Sequence, residues 1–264
     1  MYNKILTTIL FLCISTNSYA LSDIHNSHSL EEPKDHKLAC WPFEGIFGTF
    51  DRQAAQRGAQ VYLEVCSACH GLKHLYYRNL QDIGFSAEEI KAIASEKTVI
   101  DGPNSDGDMF DRPAELADNF VSPFPNEAAA RASNNGAFPV DLSLIVKARE
   151  DGPTHLYSIL TGYLEAPDDF IVPDGLYYNQ HFEGGKISMP PPLVSGQVDF
   201  IDRTPATIEQ MAHDVTIFLQ WAAEPEMEHR KSMGLKVMLF LSIFTILFFI
   251  SKKRTWKNIK TKIH

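Results

Sequence analysis

Cysteine is scarce in this chain: only four occur in 264 residues. Cys13 falls in an apolar leader and Cys66 and Cys69 stand together in one short motif, which leaves Cys40 without a partner. A disulfide framework is therefore excluded, and stability must come from a hydrophobic core and from whatever the paired thiols hold. Internal repeats and runs of strand-type alternation are lacking as well, which argues for a mainly helical body with long loops. The body also lacks basic excess. All 33 Asp and Glu lie between residues 21 and 250, whereas seven of the 24 Lys and Arg, Lys4 and six in the last 14 residues, lie outside it. That leaves 17 bases and a net charge of −16 on the body, against −9 for the whole chain. So acidic a surface repels nucleic acid and attracts cationic partners, chiefly by raising association rates.

Long hydrophobic runs are confined to the two ends. Residues 1–20 combine Lys4, the apolar stretch Ile5 to Ile14 and the small-x-small sequence Ser18-Tyr19-Ala20. This is the pattern of a secretory signal cleaved after Ala20, and the apolar stretch is short for a membrane span. The second run, Met233 to Ile250, carries one charge, Lys236. As a helix it is about 27 Å long, enough to cross a hydrocarbon core, and Lys236 can reach back to the headgroups along its aliphatic stem. Beyond it, SKKRTWKNIKTKIH holds six bases and no acid, which places the tail on the cytoplasmic side and the body outside. The expected organisation is a signal peptide (1–20), an N-terminal extension (21–48), a soluble domain (49–232) on the periplasmic side of the cell membrane, a transmembrane helix (233–250) and a basic tail (251–264).

One motif carries chemistry. In TFDRQAAQRGAQVYLEVCSACHGL, Asp51 is suited to cap a helix, and Ala54, Gly58, Val61, Tyr62 and Val65 recur on one face of it. The helix runs into Cys66-Ser67-Ala68-Cys69-His70, whose thiols are three residues apart and so share one side of a turn, with the imidazole next to them. C-x-x-C-H is the attachment pattern of c-type haem: two thioethers, and an adjacent His as iron ligand. A thioredoxin-like dithiol normally follows a strand and starts a helix, the reverse of this order. A zinc site needs more Cys or His ligands, and no second C-x-x-C exists.

A haem used for electron transfer usually has a Met sulfur opposite the His. Of the candidates, Met233 and Met238 belong to the apolar run, Met211 to the apolar face of a helix, and Met227 to a charged stretch. Met189 stands in KISMPPPL, where three prolines make a stiff extended strap. It is preferred, while Met109 in the acidic loop DGPNSDGDMFDRP stays open. Elsewhere, TIEQMAHDVTIFLQWA predicts an amphipathic helix over 207–222, with Gly58 permitting a close crossing of the first helix. Ser86 and Glu89 form a capping-box pattern, and 142–148 and 154–164 read as two short helices around a turn at 150–153.

The order of FDRQAAQRGAQVYLEVCSACH, DGPNSDGDMFDRPA, FPNEAAARASNNGAFPVDLSLIVKAR, SILTGY, ISMPPPL and WAAEPEMEHRKSMGLKVM resembles the cytochrome c1 family, from about Trp41 to Lys236. Members are haem subunits of quinol–cytochrome c reductase (bc1) complexes. The resemblance implies a mainly α fold: a class I cytochrome c-like haem domain with long loop insertions, plus one C-terminal transmembrane helix. It implies one covalent haem c on Cys66 and Cys69, axial ligation by His70 and Met189, and a distinct role for Met109. It further implies that Asn134, Pro139 and Arg149 line the haem pocket, Arg149 near a propionate. Cytochrome b, a Rieske iron–sulfur protein, a soluble or tethered cytochrome c and membrane lipid are the implied partners. The chain would be an electron carrier without substrate chemistry of its own. Some bacterial members carry an extra disulfide, for which this chain lacks the cysteines. Two rivals differ in class or setting: a haem enzyme or ligand sensor with an open iron, and a free-standing membrane cytochrome c serving a terminal oxidase.

Overall fold

The computed structural model describes residues 41–149 and 151–261. The signal segment, Cys13, Cys40 and the last three residues of the tail lie outside the described residues. The domain is built on two helices that cross face to face. Helix α1, Arg52–Glu64, begins at Asp51, whose carboxylate accepts from the N–H groups of Gln53 and Ala54 at 3.0 and 3.1 Å. Its inner face is small: Ala54, Ala55, Gly58 and Ala59 are buried beside Val61 and Tyr62. At the crossing, a Cβ on Gly58 would lie 2.0 Å from the Asp214 carbonyl oxygen and 2.8 Å from Phe218 Cβ. The expected close approach of the two helices is thus present, and only glycine allows it.

The partner helix lies near the end of the soluble body, at Ile208–Ala223, where the Thr207 hydroxyl caps it by accepting from Gln210 N–H at 3.2 Å. Met211 is fully buried on it, as its place on the apolar face implied. Asp214 is buried too, and Arg57 of α1 meets it through Nε at 2.6 Å while reaching Asp202 at 2.7 Å. A buried carboxylate is tolerated only with such partners. Aromatic rings complete the core: Tyr62 lies between Phe120 and Phe218, each 5.9 Å away, and Tyr77 stacks on Phe120 at 4.5 Å.

Between these helices the chain makes short elements. A 3-10 helix at Tyr77–Ile83 leads to α2, Ala87–Ser95, which carries the expected Ser86–Glu89 capping box. Strands β1 (Thr98–Asp101) and β2 (Phe110–Pro113) pair antiparallel, in register Thr98 to Pro113. Arg112 pins that hairpin, bonding to Asp101 within it and to Asp118 beyond it. Helix α3 spans Glu127–Ser133 and α4 spans Gly152–Thr161. Strands β3 (Tyr177–Tyr178) and β4 (Lys186–Ile187) form a second minimal pair, and the helix Ile208–Ala223 is α5.

Residues 142–148, expected to be a helix, form only a run of turns. Their start is engaged elsewhere: Leu142 N–H donates to the Gly71 carbonyl at 2.9 Å. Within the segment, Ile145 N–H donates to the Leu142 carbonyl at 3.3 Å and Lys147 N–H to the Leu144 carbonyl at 2.9 Å, closing three-residue turns in place of a continuous α ladder. Helix α4 starts at Gly152, where a Cβ would lie 1.7 Å from the Val146 carbonyl oxygen, so the turns and the helix abut there.

Helix α6 runs unbroken from Met227 to Thr261. Residues Met227–Lys257 contain an 18-residue apolar stretch of mean hydropathy 2.3, long enough to cross a membrane, and the rest of the protein covers none of it. The expected span 233–250 lies inside it, and exposed Phe240, Leu247 and Phe248 show no side turned to a core. It has the form of a single-pass anchor.

Candidate functional site

Helix α1 stops at Glu64, and the motif follows in a tighter 3-10 turn, Cys66–Ala68, with Cys69 as its cap. At three residues per turn, side chains at i and i+3 eclipse, so this winding lines up Cys66 with Cys69 more closely than the α turn expected from the sequence. The N–H groups of Cys69 and His70 both donate to the Cys66 carbonyl, at 3.1 and 2.9 Å. Cys66 is half-buried and Cys69 exposed. Burial, with Cys69 alongside, pushes the Cys66 thiol up to about 12.

The imidazole of His70 is held from outside its own helix. Nδ1 lies 2.7 Å from the Val140 carbonyl oxygen, so it carries the proton and donates, which leaves Nε2 as the ring's free electron pair. Burial lowers the His70 pKa, against the opposing pull of Val140 and Asp141, so the ring is kept neutral. The Tyr62 hydroxyl donates to the His70 carbonyl at 2.9 Å and ties the motif's end to α1. Segment 140–143 lies along 70–74. Besides the bonds at Val140 and Leu142, Asp141 Oδ2 accepts from Lys73 N–H at 3.1 Å and Ser143 Oγ from His74 N–H at 3.2 Å. His74 stands four residues beyond His70, yet among the described residues no three His, Cys, Asp or Glu side chains gather as a metal-holding group.

A cavity of about 210 Å³ opens beside Cys69, walled by Gly71, Ser122, Pro123, Ala130, Phe138 and Pro139. Pro139 is thus brought next to the motif. Asn134 caps α3, which forms one wall of this cavity, and its amide donates to the Ala130 carbonyl at 2.7 Å. Arg149 is exposed, with its guanidinium on the neighbouring Ala148 carbonyl at 3.2 Å. Met189 is half-buried against the main core, whereas Met109 is 61% exposed. The Tyr163 hydroxyl donates to the Met189 carbonyl at 3.0 Å and fixes the start of the Pro-rich strap. Sequence reasoning did not single out Val140, Tyr62 or Tyr163 for the site. Tyr62 and Tyr163 were visible only as a core-face residue and as part of SILTGY, and a backbone carbonyl leaves no sequence signal.

Fold and site together define a mainly helical domain, with a thiol–imidazole motif at the end of one helix, joined to an apolar anchor helix. The chain belongs to the cytochrome C1 family, whose model matches residues 41–259. It is 46% identical to the cytochrome b/c1 of Bradyrhizobium diazoefficiens over 90% of its own length, but spans only 38% of that longer protein. It is 45% identical to "Cytochrome c1-2, heme protein, mitochondrial" of Solanum tuberosum, covering 86% of this chain and 89% of that one. A third relative, the "Cytochrome b-c1 complex catalytic subunit, mitochondrial" of Candida albicans, is 46% identical over 84% of this chain and 77% of its own.

Proposed function

We propose that this chain is the electron-transfer subunit of a ubiquinol–cytochrome c reductase (bc1) complex, carrying one haem c on Cys66 and Cys69 with His70 and Met189 as axial ligands. The observation that supports it most is the imidazole of His70, tied at Nδ1 to the Val140 carbonyl with Nε2 left free, and biased by burial toward its neutral form. An iron ligand needs that state, and the bond to the Val140 carbonyl sets both tautomer and ring orientation. The other residues fit the group. Two thiols one 3-10 turn apart suit two thioethers, and the half-buried position of Cys66 suits attachment to an apolar macrocycle. Tyr163 and the three prolines hold Met189 with little freedom. Pro139 shares the cavity by Cys69, and Asn134 and Arg149 are proposed as further pocket residues on family resemblance alone.

When bound, haem supplies a one-electron iron couple. The protein's own part would be to orient the His70 ring through Val140 and to present Met189 from its braced strap, so that both could ligate the iron. No acid, base or open coordination site is then required, which sets this reading apart from a haem enzyme or gas sensor. The names of the relatives support a place in a cytochrome b-c1 complex, and so cytochrome b as a partner in the membrane; a Rieske protein as donor and a cytochrome c as acceptor are proposed on family resemblance alone. In this reading α6 crosses the membrane with the body on the periplasmic side and the basic tail in the cytoplasm.

Purification of the tagged full-length chain in mild detergent tests the proposal. A haem spectrum that survives denaturation, absent after Cys66→Ala with Cys69→Ala, is expected, together with co-purifying cytochrome b and Rieske protein. Haem that stays bound to the double variant through denaturation would show the attachment site to be wrong. Covalent haem without those partners would favour a free-standing membrane cytochrome.

A further inference from the structure

Segment 42–49 has no part in the haem reading and closes on itself. Thr49 N–H donates to the Pro42 carbonyl at 3.0 Å, and Glu44 N–H to the Trp41 carbonyl at 3.1 Å. Trp41, Phe43 and Phe50 are buried around it, Trp41 stacked between Phe43 and His213. At the tip the pattern reverses: Ile46 is 72% and Phe47 81% exposed. The flanking glycines make the turn tight. Gly45 has φ +74°, and a Cβ on Gly48 would lie 2.0 Å from the Glu44 carbonyl oxygen. Two bulky apolar side chains are therefore held outward by a braced loop rather than left on a loose one.

The loop's attachment says what covers it. Lys231 Nζ donates to the Phe43 carbonyl at 2.6 Å and to the Gly48 carbonyl at 3.2 Å, so both arms of the loop rest on one residue of α6. Lys231 precedes Met233, where the apolar stretch begins, by two residues, or about 3 Å along the helix axis. Phe47 is the residue before Gly48. Arg52, next to the loop, is bound to Glu228 of the same helix at 2.6 Å. The tip is thus fixed at the level where α6 passes from polar to apolar surroundings, with Arg52, Arg230 and Lys231 on the polar side.

We propose that Ile46 and Phe47 form an interfacial membrane contact, inserted at the headgroup–acyl boundary beside α6. The occupant is lipid, because the tip is apolar, small and continuous with the anchor, and because Lys231, which carries both arms of the loop, lies just before the apolar stretch begins. One helix alone leaves a domain free to swivel on its stalk. A second contact fixes the tilt of the body against the bilayer. The inference rests on the reading of α6 as a membrane span.

Photocrosslinking tests it on the full-length chain in its native membrane, with Phe47→benzoylphenylalanine, Ile201→benzoylphenylalanine as a solvent control (Ile201 is 95% exposed) and Phe244→benzoylphenylalanine inside the apolar stretch. Retained haem absorbance reports folding. Lipid adducts at positions 47 and 244 and none at 201 are expected on mass spectrometry. Adducts at 244 but not at 47, or a protein adduct in place of lipid at 47, overturn the inference and leave the span intact. No lipid adduct at either position overturns the span reading and the inference with it.

Discussion

At the scale of single residues, the site divides into side chains that chemistry names and groups that only folding supplies. Cys66, Cys69 and His70 were legible because two thioethers and a ligand demand those residue types at that spacing. The Val140 carbonyl was not, since every residue carries one and only the alignment of 140–143 on 70–74 makes this one matter. Met189→Leu separates the ligand candidates. It should lower the haem potential and let CO bind the reduced iron, both visible in a redox titration with CO difference spectra, while Met109→Leu leaves both unchanged. The reverse pattern would move the ligand to the exposed loop. Gly58 carries a different demand. Gly58→Ala drives a methyl into the Asp214 carbonyl, and denaturant unfolding should show a loss at or above the upper end of the about 1–3 kcal/mol typical of overpacking. Asp214→Ala removes the fully buried partner of Arg57. Because Asp202 still faces Arg57, the cost should stay near about 3 kcal/mol, the low end for breaking a buried pair.

At the scale of elements, α1 and α5 were readable because their apolar periodicity, caps and tertiary roles agree. Residues 142–148 misled because the same apolar spacing serves turns: Leu142 and Val146 are buried, while the backbone closes short turns of Ile145 on Leu142 and Lys147 on Leu144. The hairpin β1–β2 was invisible for another reason. Four-residue strands have too little pattern, and much of what holds them is the fork of Arg112 on Asp101 and Asp118. That fork makes the hairpin sensitive to acid. Arg112 holds both carboxyls below the usual carboxylate range. A depressed folded pKa contributes stability that is fully present above the unfolded value of about 4 and is lost as pH falls through the folded one. Hydrogen-exchange protection of the hairpin amides, corrected for intrinsic rates, should therefore drop below pH 4 while that of α5 holds. In Arg112→Gln the hairpin should be weakly protected at every pH. Protection that follows α5 across the range would show that the fork contributes nothing.

At the scale of the whole molecule, the question is what the acidic body does. Among the described residues, Asp101, Asp118, Asp202, Asp214, Glu127, Glu224 and Glu228 are each matched to an Arg or Lys within the fold. Those charges largely cancel at close range, so among the described residues the remaining acidic excess resides on carboxylates outside these ion pairs. Unpaired surface charge of one sign acts at a distance, by concentrating and orienting a partner of the opposite sign before contact. Such steering dies with the Debye length, which shrinks from about 30 Å at 0.01 M salt to about 3 Å at 1 M. If the proposed acceptor is a basic cytochrome c, stopped-flow rates of its reduction should fall at least about tenfold between these salt concentrations, the lower end of what steering contributes. An acidic acceptor of the same size should show no such fall and gain rate as repulsion is screened. A flat salt response with the basic acceptor would mean that the acidic surface serves solubility, and that docking is governed by contacts at the exposed edge near Cys69.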